Sequence, residues 1–382
     1  MKPSSLVALH DLGQSTWLDT ISDGLIVSGE LKRLIDEGSV YGVTSNPTIF
    51  KNAIGGNKDS YPEAISRLAG EGKSAEQIFD ALSAHDIIRT ADLLADRFRG
   101  GNGRDGFVSL ELPPAMSNDT AASVTEAKRL WKLVSRPNLF VKVPATPAGI
   151  PAIEELIAEG ISINVTLIFS RPQYAQVAGA YRRGVERRLA AGKSLDGLHS
   201  VASLFVSRLD TAVDKDLEAR AVKADGDTAL RDRLLALRGT AAIANALDVW
   251  EEYRAQFFGP PFETLRSRGA RPQWILWAST GTKNPAYSDI KYVDELACPD
   301  SINTMPRETI DAFLDHGKVT GNRVDPALPA ARQTRRSFAD MGISLEEHCR
   351  KLLDEGVASF AKAFNEMMDV IRERAAALAP RG

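Results

Sequence analysis

The chain predicts an α/β protein, a (β/α)8 TIM barrel with additional helices and a long C-terminal helix. Three observations carry that prediction. Short apolar runs alternate with longer stretches of helical periodicity, the rhythm of parallel strands joined by right-handed crossovers. Eight such units fit within 382 residues with length to spare, since a closed barrel of this kind takes about 250 residues plus insertions. Polar residues also stand two apart on consecutive runs, which puts them on one face of each strand.

The expected strands are Leu6–Asp11, Tyr41–Ser45, Phe107–Leu112, Leu139–Val143, Ile161–Leu167, Ala202–Ser207 and Trp274–Ala278, with Ser301–Met305 as the eighth candidate. Each is rich in β-branched or aromatic residues. Between them, Ile78, Leu82, Ile87, Leu94 and Phe98 follow one helical face. Val124, Ala127, Trp131 and Val134 follow another, opened by Asn118 or Asp119 as N-cap. The whole of 1–382 reads as one barrel domain with two additions. Lys215–Arg271 is too long for one crossover and is expected to hold two or more helices. Residues 344–378 read as an amphipathic helix, with Leu345, Cys349, Leu352, Phe360, Phe364, Met367 and Ile371 in its stripe and Gly356 in the one gap. Gly101, Gly103 and Gly106 match the spacing of a dinucleotide loop, but a helical pattern precedes them and a strand follows. They read instead as a turn into the third strand.

Bulk properties exclude several classes. Hydrophobic residues at 43% and charged residues at 25% are ordinary for a globular chain. A formal net charge of −3 supplies no strong field for nucleic acid or anionic membrane. No apolar run approaches the roughly 20 residues that span a bilayer. The opening Met-Lys-Pro-Ser-Ser-Leu lacks the features of a signal peptide, so a cytoplasmic location is expected. Cys298 and Cys349 form no C-x-x-C pattern, and His10, His85, His199, His316 and His348 include no i, i+4 pair. No metal site is expected, and a cofactor-free amine mechanism is the economical reading.

Lys142 is the most telling residue. It lies in Asn138-Leu-Phe-Val-Lys-Val-Pro144, a run that reads as a buried strand. Burial disfavours an ammonium, so a neutral amine that can attack a carbonyl is expected there. A snorkelling strand lysine is the bland alternative. Its companions favour chemistry. Thr44 and Asn46 end the second strand, Ser109 and Glu111 occupy the third, Asn164 and Thr166 the fifth. Ser203 and Phe205 share a face of the sixth, with Arg208 just beyond, and Asp11 ends the first. If these faces point inward, the mouth of the barrel holds an amine, two carboxylates, amides and hydroxyls, where barrel enzymes place their chemistry. Each has a structural alternative. Asp11 could cap the next segment, Thr44-Ser-Asn-Pro47 could be turn chemistry, Arg208 and Asp210 could form a local ion pair, and Asn164 and Thr166 could satisfy interior hydrogen bonds. Glu111 is harder to dismiss, because a lone carboxylate on a buried strand is costly.

Five segments together resemble the transaldolase family: Gly42-Val-Thr-Ser-Asn-Pro-Thr-Ile-Phe50, Val108-Ser-Leu-Glu-Leu112, Phe140-Val-Lys-Val-Pro-Ala-Thr146, Ile163-Asn-Val-Thr-Leu-Ile-Phe169 and Ala202-Ser-Leu-Phe-Val-Ser-Arg-Leu-Asp210. The chain is similar to the longer bacterial branch, from Leu12-Gly-Gln-Ser-Thr-Trp-Leu-Asp19 to the C-terminal helix. The resemblance implies a class I aldolase-type barrel without a cofactor, moving a dihydroxyacetone unit between sugar phosphates in the non-oxidative pentose phosphate pathway. Sedoheptulose 7-phosphate and glyceraldehyde 3-phosphate would interconvert with erythrose 4-phosphate and fructose 6-phosphate. It further implies Lys142 as the Schiff-base lysine, Asp11 as the acid/base at the C4 hydroxyl, and Glu111 with Thr166 holding a proton-shuttling water. Asn46 and Asn164 would bond the dihydroxyacetone hydroxyls or surround the lysine. Thr44, Ser109 and Phe205 would complete that shell, and Ser203 and Arg208 would hold phosphate. Shorter members carry an arginine after the seventh strand; here Trp277-Ala-Ser-Thr-Gly-Thr-Lys-Asn-Pro285 offers Lys283, a point charge rather than a fork. The expected partners are sugar phosphates, with no nucleic acid and no membrane, in a monomer or homodimer. The alternatives are an aldolase that releases free dihydroxyacetone and a catalytically silent barrel.

Overall fold

The structure is a computed structural model and describes residues 4–56, 61–101, 103–224 and 226–378. Eight parallel strands close into a barrel in sequence order. They are β1 (Gln14–Leu18), β2 (Gly42–Val43), β3 (Phe107–Glu111), β4 (Leu139–Pro144), β5 (Ile163–Ile168), β6 (Ser200–Phe205), β7 (Trp274–Ala278) and β8 (Ser301–Met305). The parallel pairing β1–β8 closes the ring.

One expected strand is a helix. Residues Ser5–Leu12 form an α-helix, capped by the Ser4 side chain and ended by Gly13 at φ 103°. Leu6 and Leu9, three apart, are its buried positions, and in so short an apolar run the two periods are hard to tell apart. The first strand escapes a hydropathy reading because its first three buried residues, Gln14, Ser15 and Thr16, are polar. Gln14 Nε2 donates to the Leu296 carbonyl at 2.8 Å and to Ser301 Oγ at 2.9 Å. Ser15 Oγ donates to Asp105 at 2.6 Å, and Thr16 Oγ1 to the Ser39 carbonyl at 2.8 Å. Burial costs Ser15 and Thr16 little because each hydroxyl finds a partner, while Gln14 satisfies its Nε2 and not its Oε1, and hydropathy cannot register a partner that is distant in sequence.

Other boundaries moved less. β2 keeps two residues, and β6 starts at Ser200 and ends before Ser207, which opens the helix Ser207–Lys223. The face from Ile78 to Phe98 is split into helices Ala75–Leu93 and Ala95–Gly100. Asp119 caps the helix Thr120–Val134, accepting from the Ala122 N–H at 2.9 Å. The glycines before β3 are a turn, with Gly103 at φ 88° and Gly106 at φ 86°. Between residues 215 and 271 the chain finishes one helix and adds Thr228–Ala236, Ala241–Phe258 and Pro260–Ser267.

Inside the barrel, Trp17, Phe107 and Phe140 are fully buried and stack as one layer, with Phe107 and Phe140 ring centroids 4.3 Å apart. Gly42 makes room for it, since a Cβ there would meet the Trp17 ring at 2.4 Å. This apolar layer separates the two barrel ends. The helix Leu345–Leu378 packs on the helix Pro47–Gly55 and against β5. Its Gly356 allows close approach, because a Cβ would lie 2.9 Å from Leu167 Cδ2. Among the described residues, no helix is long and apolar enough to cross a membrane.

Candidate active site

The C-terminal ends of the strands surround a cleft of about 320 Å³. Lys142 lies on its floor, only 4% exposed. Its position follows from register: Glu111 of β3, Lys142 of β4 and Asn164 of β5 are paired side by side. Lys142 Nζ donates to the Ser45 carbonyl at 2.9 Å and forms an ion pair with Glu111 Oε2 at 3.0 Å. A buried pair of this kind is worth little as a stabilising element, because desolvation of both charges offsets their attraction.

Around the pair, hydroxyls and amides form a connected set. Ser203 Oγ donates to Asn164 Oδ1 at 2.7 Å, and Asn164 Nδ2 donates to Ser109 Oγ at 3.1 Å. These bonds fix the Asn164 amide beside the lysine. Thr166 lines the cleft, and its Oγ1 is buried with no hydrogen-bond partner among the described residues. A buried orphan hydroxyl costs stability, so it reads as a group kept for a ligand or water. The backbone around it is irregular. The β5–β6 register shifts between Val165 and Ile168, and Leu167 takes a left-handed φ of 58°. Gln173 Nε2 holds this bulge by donating to the Ala145 and Leu167 carbonyls at 2.9 Å each. Ser279, at the end of β7, is likewise left-handed at φ 55° and lines the cleft. Such strain on non-glycine residues gathers at functional sites.

Asp11 does not belong to this group. It is exposed on the helix before β1, near Tyr41 at the opposite end of the barrel. The carboxylate that reaches the cleft from the first strand is Asp19, just past Leu18. Its backbone N–H donates to the Met305 carbonyl at 2.8 Å. Its Oδ1 accepts from Thr44 Oγ1 at 2.6 Å. Correct placement of β1 would have revealed it, since Asp19 shares the inward face of Ser15 and Trp17 at two-residue spacing.

Burial pushes the Asp19 carboxyl above the ordinary range, against the nearby Lys142, the Thr44 bond, Lys283 and Arg208. Burial raises Glu111 likewise, opposed by Lys142 and reinforced by Asp19. Two carboxyls thus face one amine with different neighbours, the condition for separate acid and base roles.

The far wall is cationic. Arg208 and Lys283 line the cleft with Ser203, Phe205 and Phe360. The Arg208 guanidinium lies 5.2 Å from the Phe205 ring centroid and 5.8 Å from that of Phe360 on the C-terminal helix. It has no carboxylate within ion-pair distance among the described residues, and the local pair with Asp210 is not formed. Asp210 instead accepts from the Ala242 N–H at 2.7 Å and from the Tyr292 hydroxyl at 2.8 Å. The Ser207 N–H, bonded to the Ser279 carbonyl at 3.1 Å, anchors the turn that aims Arg208 inward.

The remaining expected residues divide. Asn46 and Thr44 line the cleft. Asn46 Oδ1 also caps the helix Pro47–Gly55, accepting from the Ile49 N–H at 3.0 Å, so turn chemistry and site residue coincide. Ser109, Asn164 and Glu111 stand behind the lysine rather than on the cleft wall. Asp19, Ser279, Thr304, Asn52 and Phe360 are cleft residues that the sequence did not single out. Among the described residues, no group of three or more His, Cys, Asp or Glu side chains could hold a metal ion.

A closed parallel barrel whose mouth holds a buried lysine paired with one carboxylate, a second carboxylate in the same cleft and an arginine without an ion-pair contact among the described residues defines a (β/α)8 enzyme equipped to handle a carbonyl compound with an anionic tail. The comparisons agree. Residues 16–371 match the profile of the transaldolase/fructose-6-phosphate aldolase family, and the chain belongs to that family. It is 43% identical to a transaldolase of Mycolicibacterium smegmatis over 96% of both chains. It is 44% identical to a transaldolase of Thermobifida fusca over 98% of this chain and 99% of that one. It is 39% identical to transaldolase 2 of a Nostoc species over the full length of both.

Proposed function

We propose that this chain is a transaldolase, moving a dihydroxyacetone unit from a ketose phosphate to an aldose phosphate through a Schiff base on Lys142. The observation that carries the reading is the 3.0 Å contact between Lys142 and Glu111 on the floor of a cleft that also holds Asp19. Support comes as well from the relatives, whose names all state this activity.

The steps follow from the groups present. The amine of Lys142 attacks C2 of fructose 6-phosphate or sedoheptulose 7-phosphate, giving a carbinolamine. Glu111 accepts the proton that the nitrogen sheds and returns one to the leaving hydroxyl, with a water held by Thr166 as intermediary. Water departs and an iminium remains. Asp19, as carboxylate, takes the C4 hydroxyl proton; the C3–C4 bond breaks, and its electrons neutralise the iminium as an enamine. The released aldose is glyceraldehyde 3-phosphate or erythrose 4-phosphate. A second aldose phosphate then binds, and the sequence reverses. Asn46, Asn164 and Ser109 hold the dihydroxyacetone portion or orient the lysine, with Thr44 and Phe205 completing the wall. Ser203, Arg208 and Lys283 bind the phosphate, the arginine able to do so in bidentate fashion. Sugar phosphates made inside cells make a cytoplasmic location the natural one.

Borohydride reduction in the presence of fructose 6-phosphate tests this. A stable adduct on the peptide bearing Lys142 is expected, and Lys142→Arg abolishes both adduct and turnover, because a guanidinium stays protonated. An adduct elsewhere, or none, overturns the mechanism. Free dihydroxyacetone accumulating without transfer to an aldose acceptor would reassign the chain to the aldolase side of its family.

A further inference from the structure

We propose that Thr304 is a positioning residue for Asp19, the terminal donor of a hydrogen-bond chain that runs from Thr304 through Thr44 to the carboxylate. The inference rests on the reading of Asp19 as the group that exchanges a proton with the C4 hydroxyl.

Proton counting fixes the direction of the chain. Thr44 Oγ1 lies 2.6 Å from Asp19 Oδ1 and 2.6 Å from Thr304 Oγ1. An ionised carboxylate only accepts, and a hydroxyl carries one proton. The Thr44 proton therefore goes to Asp19, and Thr304 must donate to Thr44. Both threonines are 2% exposed where they line the cleft, which leaves their hydroxyls little access to water. Their β-branched side chains are stiff at χ1, and the backbone holds them. Thr44 N–H donates to the Leu18 carbonyl at 2.9 Å, Asp19 N–H donates to the Met305 carbonyl, and Thr280 Oγ1 shares its proton between Asn303 Oδ1 at 2.9 Å and the Thr304 carbonyl at 3.0 Å. Strands β1, β2 and β8 thus converge on one carboxylate oxygen.

Two consequences follow. The chain engages Oδ1, and Oδ2, which takes no bond from it, is the oxygen we assign to proton transfer. Each bond polarises the next, so the chain favours the carboxylate over the acid. That works with Lys142, Lys283 and Arg208, which also face Asp19, and against burial and Glu111. A Thr304 substitution leaves all of those charges in place.

Thr304→Val removes the donor. Borohydride trapping of fructose 6-phosphate on Lys142 is expected to persist and KM to hold, while kcat falls about fivefold, the worth of one ordinary hydrogen bond. The acidic limb of kcat/KM moves to higher pH, because a carboxylate that loses support protonates sooner. Thr304→Ser, which keeps the hydroxyl, restores most of the loss. Thr304→Ala carries the same expectation as valine without added bulk, should valine disturb folding. Unchanged kcat and an unmoved limb in valine and alanine variants that still trap substrate overturn this proposal alone, as does a serine variant no better than valine. A wild-type protein that traps no ketose phosphate overturns the parent reading, and this one with it.

Discussion

At the N-terminal end of the barrel, Asp105 accepts from Ser15 Oγ at 2.6 Å and faces His10 Nε2 at 3.0 Å, while Ser15 in turn accepts from Trp17 Nε1 at 3.0 Å. At the C-terminal end, some polar groups are left open. Arg208 has no carboxylate within reach among the described residues, Thr166 Oγ1 has no partner, and the carboxyls of Asp19 and Glu111 are held above their ordinary range by burial. The aromatic layer of Trp17, Phe107 and Phe140 lies between. Toward the N-terminal end Ser15 and Asp105 are joined in one hydrogen-bonded set, whereas at the mouth Thr166 Oγ1 has no partner among the described residues, and we read it as a group reserved for a substrate.

Substitutions at the two ends should therefore fail in different ways. After the abolition expected of Lys142→Arg, the largest effect is expected from Asp19→Asn, which should lower kcat by about 10²- to 10⁴-fold, the range of general acid–base contributions. Schiff-base trapping should survive, and Asp11→Asn should leave kcat unchanged. Steady-state rates beside trapping would expose a contrary result, such as equal sensitivity at both positions. The same carboxylate sets a pH expectation. Cleavage of a ketose needs it ionised, and burial raises its pKa, so activity should decline on acidification at a pH above the usual carboxylate range.

Next come the cations. Arg208→Ala should raise KM for fructose 6-phosphate by about 100-fold and Lys283→Ala by about tenfold, since charge-assisted bonds contribute roughly 1.5–3 kcal/mol. Similar losses for a substrate analogue without the phosphate would remove both residues from that role. The smallest catalytic effect belongs to the floor. Asp105→Ala should cost about 1–3 kcal/mol of stability by stranding Ser15 and His10, read by chemical denaturation, with kcat and KM near wild type. A matching drop in kcat would erase the distinction between the ends.

Much of this was legible in the chain, and the gaps share one cause. β3, β4, β5 and β7 announce themselves because their apolar content is high. Lys142 and Glu111 stand out as charges where charge is expensive, and Arg208 as a cation just beyond a strand. β1 was misplaced because Gln14, Ser15 and Thr16 are buried yet polar, and their partners Leu296, Asp105 and Ser39 are distant in sequence. Asp19 was lost with it, as a shifted strand changes which carboxylate ends it. Phe360 joined the cleft only because the C-terminal helix crosses the barrel mouth, and an amphipathic stripe does not say what it covers.

The amino-acid sequence by itself determined the alternation of strand and helix, the closed barrel that follows from it, and the buried lysine we propose as the amine, because periodicity and the cost of buried charge are local properties. Tertiary structure alone decided which second carboxylate joins Glu111 near the lysine, which hydroxyls support it and which helix walls the cleft. Those depend on register between strands and on hydrogen bonds between positions as far apart as Asp19 and Met305, which no local pattern encodes.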